Sequence, residues 1–356
     1  LVAVGTVADC VSLLGENRIL VKNGLDVLNK TKRKGLIELI KVASINGGKL
    51  LDAWNIGFQI APRLNAAGRM DHANTAFELL ITKDDEEAAT LARDLNDKNF
   101  ERQRITNEIV ENIYRSISDD EDKIIIAVSS KESPWNEGVI GLAAGRVCER
   151  YNRPALVITR TENPPKPPFE RGVGGLLKGS GRSIDEFNII KALEERAEFL
   201  DKYGGHPAAC GFTLTEDKLS GFVKKIKEIA ERELAGVDLR QKIMIEAEVN
   251  LSEVNEKFVS EIEKFSPFGE DNNRPKLVSR SAAIVDIIKM GLDGQHVKLR
   301  VKSDNSGVLS AVGFGQAEQW KDLRIGDTID IVYYIEMNEF NGRREAQMKI
   351  VDIKAK

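Results

Sequence analysis

The long periodic segment at residues 84–117 constrains the fold of this chain more than any other feature. Neither glycine nor proline interrupts it, and its apolar side chains recur every three or four residues from Ala88 to Leu95 and from Ile105 to Ile117. This spacing predicts one amphipathic helix, which at 1.5 Å per residue is roughly 50 Å long. A helix of that length can join two domains, and we interpret it as a connecting helix.

The segments on either side of this helix predict a mixed α/β protein. Residues 123–128 and 154–158 read as strands that flank a helix at 137–151, which together form a strand-helix-strand unit. The apolar run at residues 1–8 predicts a further, buried strand. Amphipathic stretches predict more helices, at 35–43, 50–60, 183–199 and 216–235.

From about residue 240 onward the pattern changes to short alternating strands. The dipeptide Asn341-Gly342 is a hairpin signal between the last two of them. Five or six strands with one helix near 251–264 predict a small β-barrel such as an OB-fold. The predicted strands cover 243–249, 281–288, 295–302, 308–314, 328–336 and 345–353.

Composition narrows the class of protein. The chain has 356 residues, 30% of them charged and 42% hydrophobic, which is typical of a globular protein with two or three domains. No run of ~18 apolar residues and no secretory signal is seen, so we expect no membrane span and a cytoplasmic location. Three widely spaced cysteines argue against a disulfide framework or a zinc ribbon. A net charge of −4 excludes nucleic-acid binding through global charge, although it leaves local basic patches possible.

The start of the chain carries a candidate metal ligand. Asp9 follows the predicted strand at 1–8, and carboxylates at the carboxyl end of a strand are placed to bind divalent cations. An aspartate there is also a common cap, and from these residues alone the cap is the favoured interpretation. Because the first residue, Leu1, already lies in an apolar run without a polar lead-in, we expect sequence upstream that completes the first domain.

Two loops predicted from small and basic residues are candidates for binding phosphate. Arg63 and Arg69 bracket a segment that contains Asn65, and two guanidinium groups can clamp a phosphate. The alternative, a helix-entry loop with surface arginines, is equally well supported. The segment 135–141 opens a helix whose free N–H groups favour an anion, although packing through its glycines is the favoured interpretation.

Two glycine-rich strings are more specific. Residues 178–183 place Lys, two Gly, two Ser and Arg182 after a predicted loop at 161–178, in an arrangement that suits phosphate oxygens. The alternative is a flexible turn in which Ser183, with Glu186, merely caps the next helix. Residues 204–211 surround His206 with glycine and alanine, so that it can donate to a phosphate or a scissile oxygen; a structural histidine is the alternative.

The last domain interleaves basic and aromatic residues, which suits a single strand of nucleic acid through backbone attraction and base stacking. The alternative is a solvated β-surface over a hydrophobic core, with one of two adjacent tyrosines facing inward. The residues concerned are Lys298, Arg300, Arg343, Arg344, Tyr333, Tyr334 and Phe340.

Together these strings resemble the RecJ family of single-strand-specific 5′→3′ DNA exonucleases, in the DHH phosphoesterase superfamily. The resemblance implies the C-terminal part of a DHH domain at 1–83, a connecting helix at 84–120, a DHH-associated substrate-binding domain at 121–238 and an OB-fold at 239–356. It also implies two-metal hydrolysis of phosphodiester bonds in DNA repair and recombination. The strings are GTVADCVSLLGENR (5–18), APRLNAAGRM (61–70), WNEGVIGLAAGRVCERYNRP (135–154), KGSGRS (178–183), GGHPAACGF (204–212) and SPFG (266–269).

The resemblance also assigns roles to single residues. Asp9 corresponds to the last metal-ligating aspartate, for Mn²⁺ or Mg²⁺, with the other ligands expected upstream of residue 1. Asp9 and His206 are the implied catalytic residues. The implied substrate-binding residues are Arg63, Asn65, Arg69, Ser180, Arg182, Ser183, Gly204, Gly205 and His206.

Several departures limit the resemblance. The Asp-rich and Asp-His-His strings of the family are absent, residues 270–277 differ from the family pattern, and residues 161–177 look like an insertion. We therefore expect this chain to bind single-stranded DNA weakly and to cut it poorly alone. A helicase or a single-strand-binding protein is a further candidate partner. The alternatives are a non-catalytic DNA-binding relative and a DHH-type phosphodiesterase that acts on short oligonucleotides.

Overall fold

The computed structural model describes residues 1–45, 50–70, 72–117, 122–161, 175–303, 306–340 and 342–356. The chain divides into two compact units. The first consists of Leu1–Thr31, Gly47–Ala61 and Ile243–Lys356, and the second of Lys32–Asn46 and Pro62–Lys242. The domain limits drawn from the resemblance stay predictions.

The second unit combines helices with a sheet of five strands, and the first combines helices with the strands of the last part of the chain. The helices of the N-terminal part are α1 Val2–Ala8, α2 Gly15–Leu28, α3 Lys34–Val42, α4 Ala53–Asn55, α5 Ala61–Met70, α6 Asn74–Ile81 and α7 Asp85–Ser116. The middle part contains β1 Ile125–Val128, α8 Ile140–Tyr151, β2 Ala155–Arg160, β3 Leu176–Arg182, α9 Ile189–Glu194, β4 Lys202–His206, β5 Ala209–Thr215 and α10 Leu219–Glu233. The last part contains β6 Ala247–Glu248, α11 Glu256–Glu263, β7 Leu277–Met290, β8 His296–Lys302, β9 Leu309–Gly313, β10 Thr328–Phe340 and β11 Arg343–Ala355.

The strand predicted at residues 1–8 is wrong, because this segment is helix α1. A short apolar run does not by itself distinguish a buried strand from a buried helix. Helix α1 packs closely on α2, since a Cβ added to Gly24 would lie 2.4 Å from Ala3 Cβ. Asp9 therefore follows the end of a helix, and the interpretation that placed it at a strand end is corrected.

The loop expected around Arg63 and Arg69 is also wrong, since both arginines lie on helix α5. A π-helical segment, Ile56–Ile60, connects α4 directly to α5 and stands just before Pro62. Proline has no N–H to donate, so a local change in the hydrogen-bond pattern accommodates it inside a continuous helical stretch. The two arginines are thereby held on a regular element.

The helix predicted at 84–117 is confirmed as α7, which has 32 residues and lies entirely in the second unit. The Asp84 side chain caps it by accepting from Glu87 N, and three acidic residues occupy its first turn. Its buried face continues the predicted stripe but includes two polar residues, Asn99 and Thr106. Among the described helices, none has the length and the apolar composition needed to span a bilayer.

A five-stranded sheet forms the centre of the second unit, with the strand order β1-β2-β3-β5-β4. Strands β1 and β2 are parallel and joined through α8, which confirms the predicted strand-helix-strand unit. The other pairs are antiparallel. Of the predicted loop at 161–178, residues 162–174 lie outside the described residues, and the last part is strand β3.

Two further expectations near this sheet are corrected. Ser183 does not cap the following helix; α9 begins at Ile189, and the side chain of Asn188 caps it by accepting from Lys191 N. The helix predicted at 183–199 is also shorter than expected, because α9 ends at Glu194 and strand β4 follows in a hairpin with β5. Glycine pairs suggest breaks in a helical pattern, yet here they lie in extended strands.

The short strands predicted for the last part are present in the first unit, where they form one sheet that we call the barrel. Strands β7, β8, β9, β11 and β10 pair in that order, and β10 pairs again with β7, which closes the sheet. Strands β9 and β11 are parallel, whereas the other barrel pairs are antiparallel. Tyr333 is fully buried in the core, and its hydroxyl oxygen is hydrogen-bonded to Ser279 Oγ at 2.9 Å. Of the two adjacent tyrosines, Tyr333 is therefore the one that faces inward. Asn341 of the predicted hairpin turn lies outside the described residues.

Candidate nucleic-acid interface

Strand β3 sorts the residues of the glycine-rich string onto two faces. Lys178, Ser180 and Arg182 alternate with buried residues, as the period of a strand requires. A Cβ added to Gly179 would lie 2.1 Å from Phe212 Cζ, and one added to Gly181 would lie 2.6 Å from Cys210 Sγ. The glycines therefore make room for the core beneath the sheet, while the polar side chains face the other way.

The face that carries Ser180 and Arg182 packs against helix α8 at a glycine. A Cβ added to Gly141 would lie 3.0 Å from Ser180 Oγ and 3.5 Å from Arg182 Nη2. Arg182 Nη1 donates to Gly181 O at 2.8 Å, and Ser180 Oγ donates to Cys210 O at 3.4 Å. The glycine on α8 thus leaves space directly above a hydroxyl and a guanidinium group.

Arg69 at the end of α5 lies next to the loop that precedes α8. Its Nη1 donates to Gly138 O at 3.3 Å. A Cβ added to Gly138 would lie 2.1 Å from Arg69 O, so only glycine permits this approach of two backbones. Burial lowers the pKa of Arg69, and the positive charge of Arg182 lowers that pKa further. Arg69 and Arg182, which the sequence analysis places in two separate candidate strings, therefore lie close enough for their charges to interact.

These two arginines have no acidic partner within 4.0 Å among the described residues. Glu137, which precedes Gly138 in the chain, pairs instead with Lys178 at 3.1 Å. A pair of guanidinium groups without a counter-charge attracts anions, and its donors suit the oxygens of a phosphate. Arg69, Ser180 and Arg182 form what we call the β3 phosphate site.

The other predicted residues of α5 differ in their surroundings. Arg63 is buried, and its Nε donates to Asn96 Oδ1 on α7 at 3.0 Å. Burial lowers the pKa of Arg63. Asn65 is exposed on the same helix. Arg63 thus contributes to the packing of α5 on α7, and only Asn65 and Arg69 present their side chains to solvent.

The β4–β5 hairpin places His206 in line with Arg182. Both residues pair with Ala209 in register, so they lie on one row of the sheet, two strands and roughly 10 Å apart. Gly205 has a φ of +153°, and a Cβ there would lie 2.3 Å from Ala209 O. His206 and Gly204 are exposed. The hydroxyl of Ser183 is already engaged, donating to Phe187 O at 2.6 Å.

Asp9 belongs to the first unit, in which it is exposed, whereas the residues described above belong to the second. Within the ranges that the structure describes, no group of three or more His, Cys, Asp or Glu could hold a metal ion. The residues present therefore do not fit a Mn²⁺ or Mg²⁺ centre by themselves.

Comparisons with known proteins cover nearly the whole chain. A model of the DHHA1 domain matches residues 121–232, and a model of the RecJ OB domain matches residues 245–352. The single-stranded-DNA-specific exonuclease RecJ of Bacillus subtilis is 34% identical over 99% of this chain and 43% of that protein. RecJ of Escherichia coli is 30% identical over 99% of this chain and 60% of that protein.

A solved structure of RecJ from Thermus thermophilus, in complex with Mn²⁺, superposes with a TM-score of 0.81 and 26% identity. It covers 99% of this chain and 48% of that protein. The chain belongs to the RecJ family. It spans between 43% and 60% of the length of the Bacillus and Escherichia relatives. The same Thermus protein has also been solved with Mg²⁺.

Two strings of the RecJ resemblance contact each other within the first unit. Arg18, at the end of the first string, donates through Nη2 to Lys264 O at 3.0 Å and to Ser266 O at 3.1 Å. Leu13 N donates to Glu270 O at 2.8 Å. Helix α2 and the residues that precede it therefore hold the SPFG loop at 266–269 in place. These contacts give both strings a structural role.

The barrel of this RecJ-family chain presents part of the predicted nucleic-acid surface. Lys298 and Arg300 alternate with buried residues on β8 and point away from the core. Tyr334 is half-buried, with Lys276 Nζ 5.9 Å from its ring centre. The side chains of Phe340 and Arg343 lie outside the described residues.

The sequence analysis missed two arginines near the β3 phosphate site. Arg102 on α7 donates through Nη2 to Asn99 Oδ1 at 2.9 Å, and Arg146 on α8 donates through Nη1 to Asn107 Oδ1. The available signal was Asn99, a polar residue on the apolar stripe of a long helix. A buried polar residue at such a position is normally hydrogen-bonded, and here its partner is an arginine.

Proposed function

We propose that this chain takes part in hydrolysing single-stranded DNA from the 5′ end, as a RecJ-type exonuclease. One observation carries the proposal: the β3 phosphate site holds two guanidinium groups and a hydroxyl with no carboxylate partner among the described residues. A terminal phosphate monoester has nearly two negative charges near neutral pH and three strongly accepting oxygens. It therefore gains more from two converging guanidinium groups than a phosphodiester does.

The surrounding residues have roles that follow from their positions. We assign Arg69, Ser180 and Arg182 to the terminal phosphate, and His206 to donation toward the adjacent phosphodiester. Gly204 and Gly205 keep the backbone of β4 open to the strand, and Asn65 contacts it from α5. Arg63 and Ser183 act as positioning residues, because their side chains are engaged by Asn96 and Phe187 O.

The barrel is proposed to hold the DNA strand further from its end. Lys298 and Arg300 supply backbone attraction, and Tyr334 supplies a ring for base stacking. Asp9 stays a predicted ligand for a divalent cation, with the other ligands expected upstream of residue 1; the Thermus relative has been solved in complex with Mn²⁺ and with Mg²⁺. A helicase or single-strand-binding partner and a cytoplasmic location stay predictions as well.

A binding experiment tests the assignment of the terminal phosphate. We expect R182A to weaken binding of a 5′-phosphorylated 12-nucleotide strand by about tenfold, the loss of one charge-assisted contact. The same variant should bind a 5′-hydroxyl strand nearly as the unmodified chain does. R240A is the matched control, because Arg240 pairs locally with Asp238 at 2.8 Å. Equal effects on both strands would remove Arg182 from the terminal-phosphate site.

An activity experiment tests the reaction itself. The protein expressed from its complete open reading frame, supplied with Mn²⁺, should shorten 5′-phosphorylated single strands and leave duplex DNA intact. Equal cleavage of duplex DNA would contradict the proposal. Binding without cleavage would indicate a non-catalytic relative, and cleavage confined to oligonucleotides of a few residues would indicate a short-substrate phosphodiesterase.

A further inference from the structure

Three arginines donate to asparagine side chains on helix α7. Arg63 Nε donates to Asn96 Oδ1 at 3.0 Å, Arg102 Nη2 donates to Asn99 Oδ1 at 2.9 Å, and Arg146 Nη1 donates to Asn107 Oδ1. Another arginine of the same helix is different. Arg104 pairs with two carboxylates, at 2.7 Å and 2.5 Å, which belong to Glu101 and Glu108.

The choice of partner decides the net charge of this surface. An amide oxygen fixes the direction of a guanidinium group but leaves its positive charge uncompensated, whereas a carboxylate cancels it. Neither Arg102 nor Arg146 has a carboxylate within 4.0 Å in the described part of the chain. The surface around them is therefore a local positive patch, although the chain as a whole has a net charge of −4.

The patch is also short of hydrogen-bond acceptors. Arg102 Nε and Asn99 Nδ2 are buried donors without a partner, and Asn99 is only 1% exposed. Burial lowers the pKa of Arg102, and the charges of Arg69, Arg146 and Arg63 lower that pKa further. Like charges kept together in this way repel each other, so an anion bound among them relieves that repulsion.

The patch adjoins the β3 phosphate site on one side and a groove on the other. On α8 it adjoins Arg182, because a Cβ added to Gly145, the neighbour of Arg146, would lie 3.9 Å from Arg182 Cγ. Along the helices it opens into a groove of about 730 Å³ between α7 and α8, which begins at Asn107 and Arg146. Further along that groove, the guanidinium of Arg150 lies over the ring of Tyr114, at 4.1 Å from its centre. Glu111 and Glu149 also line the groove, so only the end at Arg146 suits an anion.

We propose that Arg102 and Arg146 form a second phosphate subsite, which binds an internal phosphodiester of the strand whose 5′ end occupies the β3 phosphate site. This proposal rests on the proposed function, because it takes the same single strand as the ligand. Asn99 and Asn107 are positioning residues that keep the two guanidinium groups in place and charged. The subsite extends the contact with DNA beyond the residues that the glycine-rich strings supply.

The test converts one amide into a carboxylate of nearly the same shape. In N107D the new charge compensates Arg146 without removing it, so the fold is kept while the patch loses its excess charge. We expect about tenfold weaker binding of a 5′-phosphorylated 12-nucleotide strand at low salt. The slope of log K against log salt should fall by about 0.7, the value for one phosphate contact on a single strand. R146A should give the same result.

Two comparisons separate this proposal from its alternatives. Thymidine 5′-monophosphate, which carries only a terminal phosphate, should bind N107D as it binds the unmodified chain, when followed by NMR titration. R104A is the control on the same helix and should leave both affinities and the salt slope unchanged.

The outcomes distinguish the two proposals. If N107D and R146A bind the 12-nucleotide strand normally while R182A binds it weakly, the second subsite is overturned and the proposed function stands. If N107D weakens the mononucleotide as much as the strand, the subsite is likewise overturned, since the change then acts on the terminal phosphate. If the unmodified chain binds no single-stranded DNA, the proposed function itself fails.

Discussion

Two glycines at helix α8, one before it and one inside it, differ in the space available for a side chain. A Cβ at Gly138 would lie 2.1 Å from the backbone oxygen of Arg69, whereas one at Gly145 would lie 3.9 Å from Arg182 Cγ, an ordinary contact. Gly145 is also inside the helix, where alanine is preferred over glycine. Gly138 is therefore required for the position of Arg69, and Gly145 is not.

We predict that G138A destabilises the protein by about 1–3 kcal/mol, because backbone atoms at such a distance must move apart. G145A should be neutral or stabilising by up to about 1 kcal/mol. Urea denaturation of the two variants gives the difference directly. A stability of G138A equal to that of G145A would mean that the two backbones do not approach at Arg69.

Asp330 on β10 is a buried carboxylate that joins the end of the chain to the barrel. It accepts from Ser281 N at 2.9 Å and from Arg280 Nη1 at 3.0 Å, and Lys356 Nζ lies 3.2 Å away. The Ser281 N–H, with smaller effects from Arg280 and Lys356, lowers the pKa of Asp330 to about 2. The folded state therefore favours the ionised form of this carboxyl group.

The pKa of Asp330 is lower in the folded state than in the unfolded state. The stabilisation that its carboxylate contributes is therefore complete above about pH 4 and is lost as the pH falls toward 2. We predict that D330N lowers the free energy of unfolding by about 1–2 kcal/mol at pH 7, since solvent screens the half-exposed cations. The difference from the unmodified chain should shrink below about pH 4. D293N, at an exposed position of the same barrel, is the control for denaturation across this pH range.

At the scale of elements, the sequence predicted types of element well where periodicity extends over many residues and poorly where it does not. Helix α7 and the barrel strands came from long or repeated patterns. The segment at 1–8 is too short for its apolar residues to reveal a period, and α1 was therefore taken as a strand. In the glycine-rich strings, glycine suggested loops, whereas in β3 and β4 it serves close packing between strand and core.

The candidate site shows the same contrast between features visible within one segment and features that are not. Arg69, Ser180 and Arg182 could be predicted as candidate residues because their polar side chains are conspicuous among small residues. The secondary structure predicted for these strings was nevertheless wrong. Arg102 and Arg146 were missed because each is one arginine within a helix, and only the contact between α7 and α8 brings them together. Pairing across elements is not visible in the spacing of a single segment.

Strand β3 offers a test of this packing role. We predict that G181A destabilises the protein by about 1–3 kcal/mol, because its Cβ would overlap Cys210 Sγ, Ile189 Cδ1 and Leu156 Cδ2, each at 2.6–2.7 Å. G211A on the adjacent strand β5 is the matched control, since the nearest atom to its Cβ lies 4.0 Å away. Thermal unfolding of both variants measures the effect. A tolerated G181A would indicate that this glycine serves the ligand instead.

At the scale of the whole molecule, the acidic total and the proposed DNA binding are compatible because the charges are unevenly arranged. Many exposed cations of the chain pair with carboxylates, as Arg104 and Arg232 do. The arginines of the β3 phosphate site, together with Arg102 on α7 and Arg146 on α8, are held by carbonyl and amide oxygens instead. Binding of DNA can therefore rest on a few uncompensated groups while the remaining surface stays acidic.

The first compact unit assembles three separate stretches of chain, so the contacts between them decide whether it unfolds as one body. Arg18 joins α2 to the loop before the barrel through two carbonyl groups, and Leu13 N donates to Glu270 O beside it. Leu13 is also buried, with its Cδ1 2.5 Å from the position of a Cβ on Gly269. These contacts join residues that lie some 250 positions apart in the sequence.

We predict that R18A lowers the stability of this junction by about 1–2 kcal/mol, the effect of losing charge-assisted hydrogen bonds at a half-exposed position. The amide of Leu13 should then exchange its hydrogen about tenfold faster, because local opening becomes easier while the barrel strands keep their protection. R324A, at an exposed site of the barrel, is the control and should leave the exchange of Leu13 unchanged. Hydrogen exchange followed by mass spectrometry measures both variants. If R18A exchanges at Leu13 as slowly as R324A, the backbone bond to Glu270 and the packing on Gly269 hold the junction without the arginine.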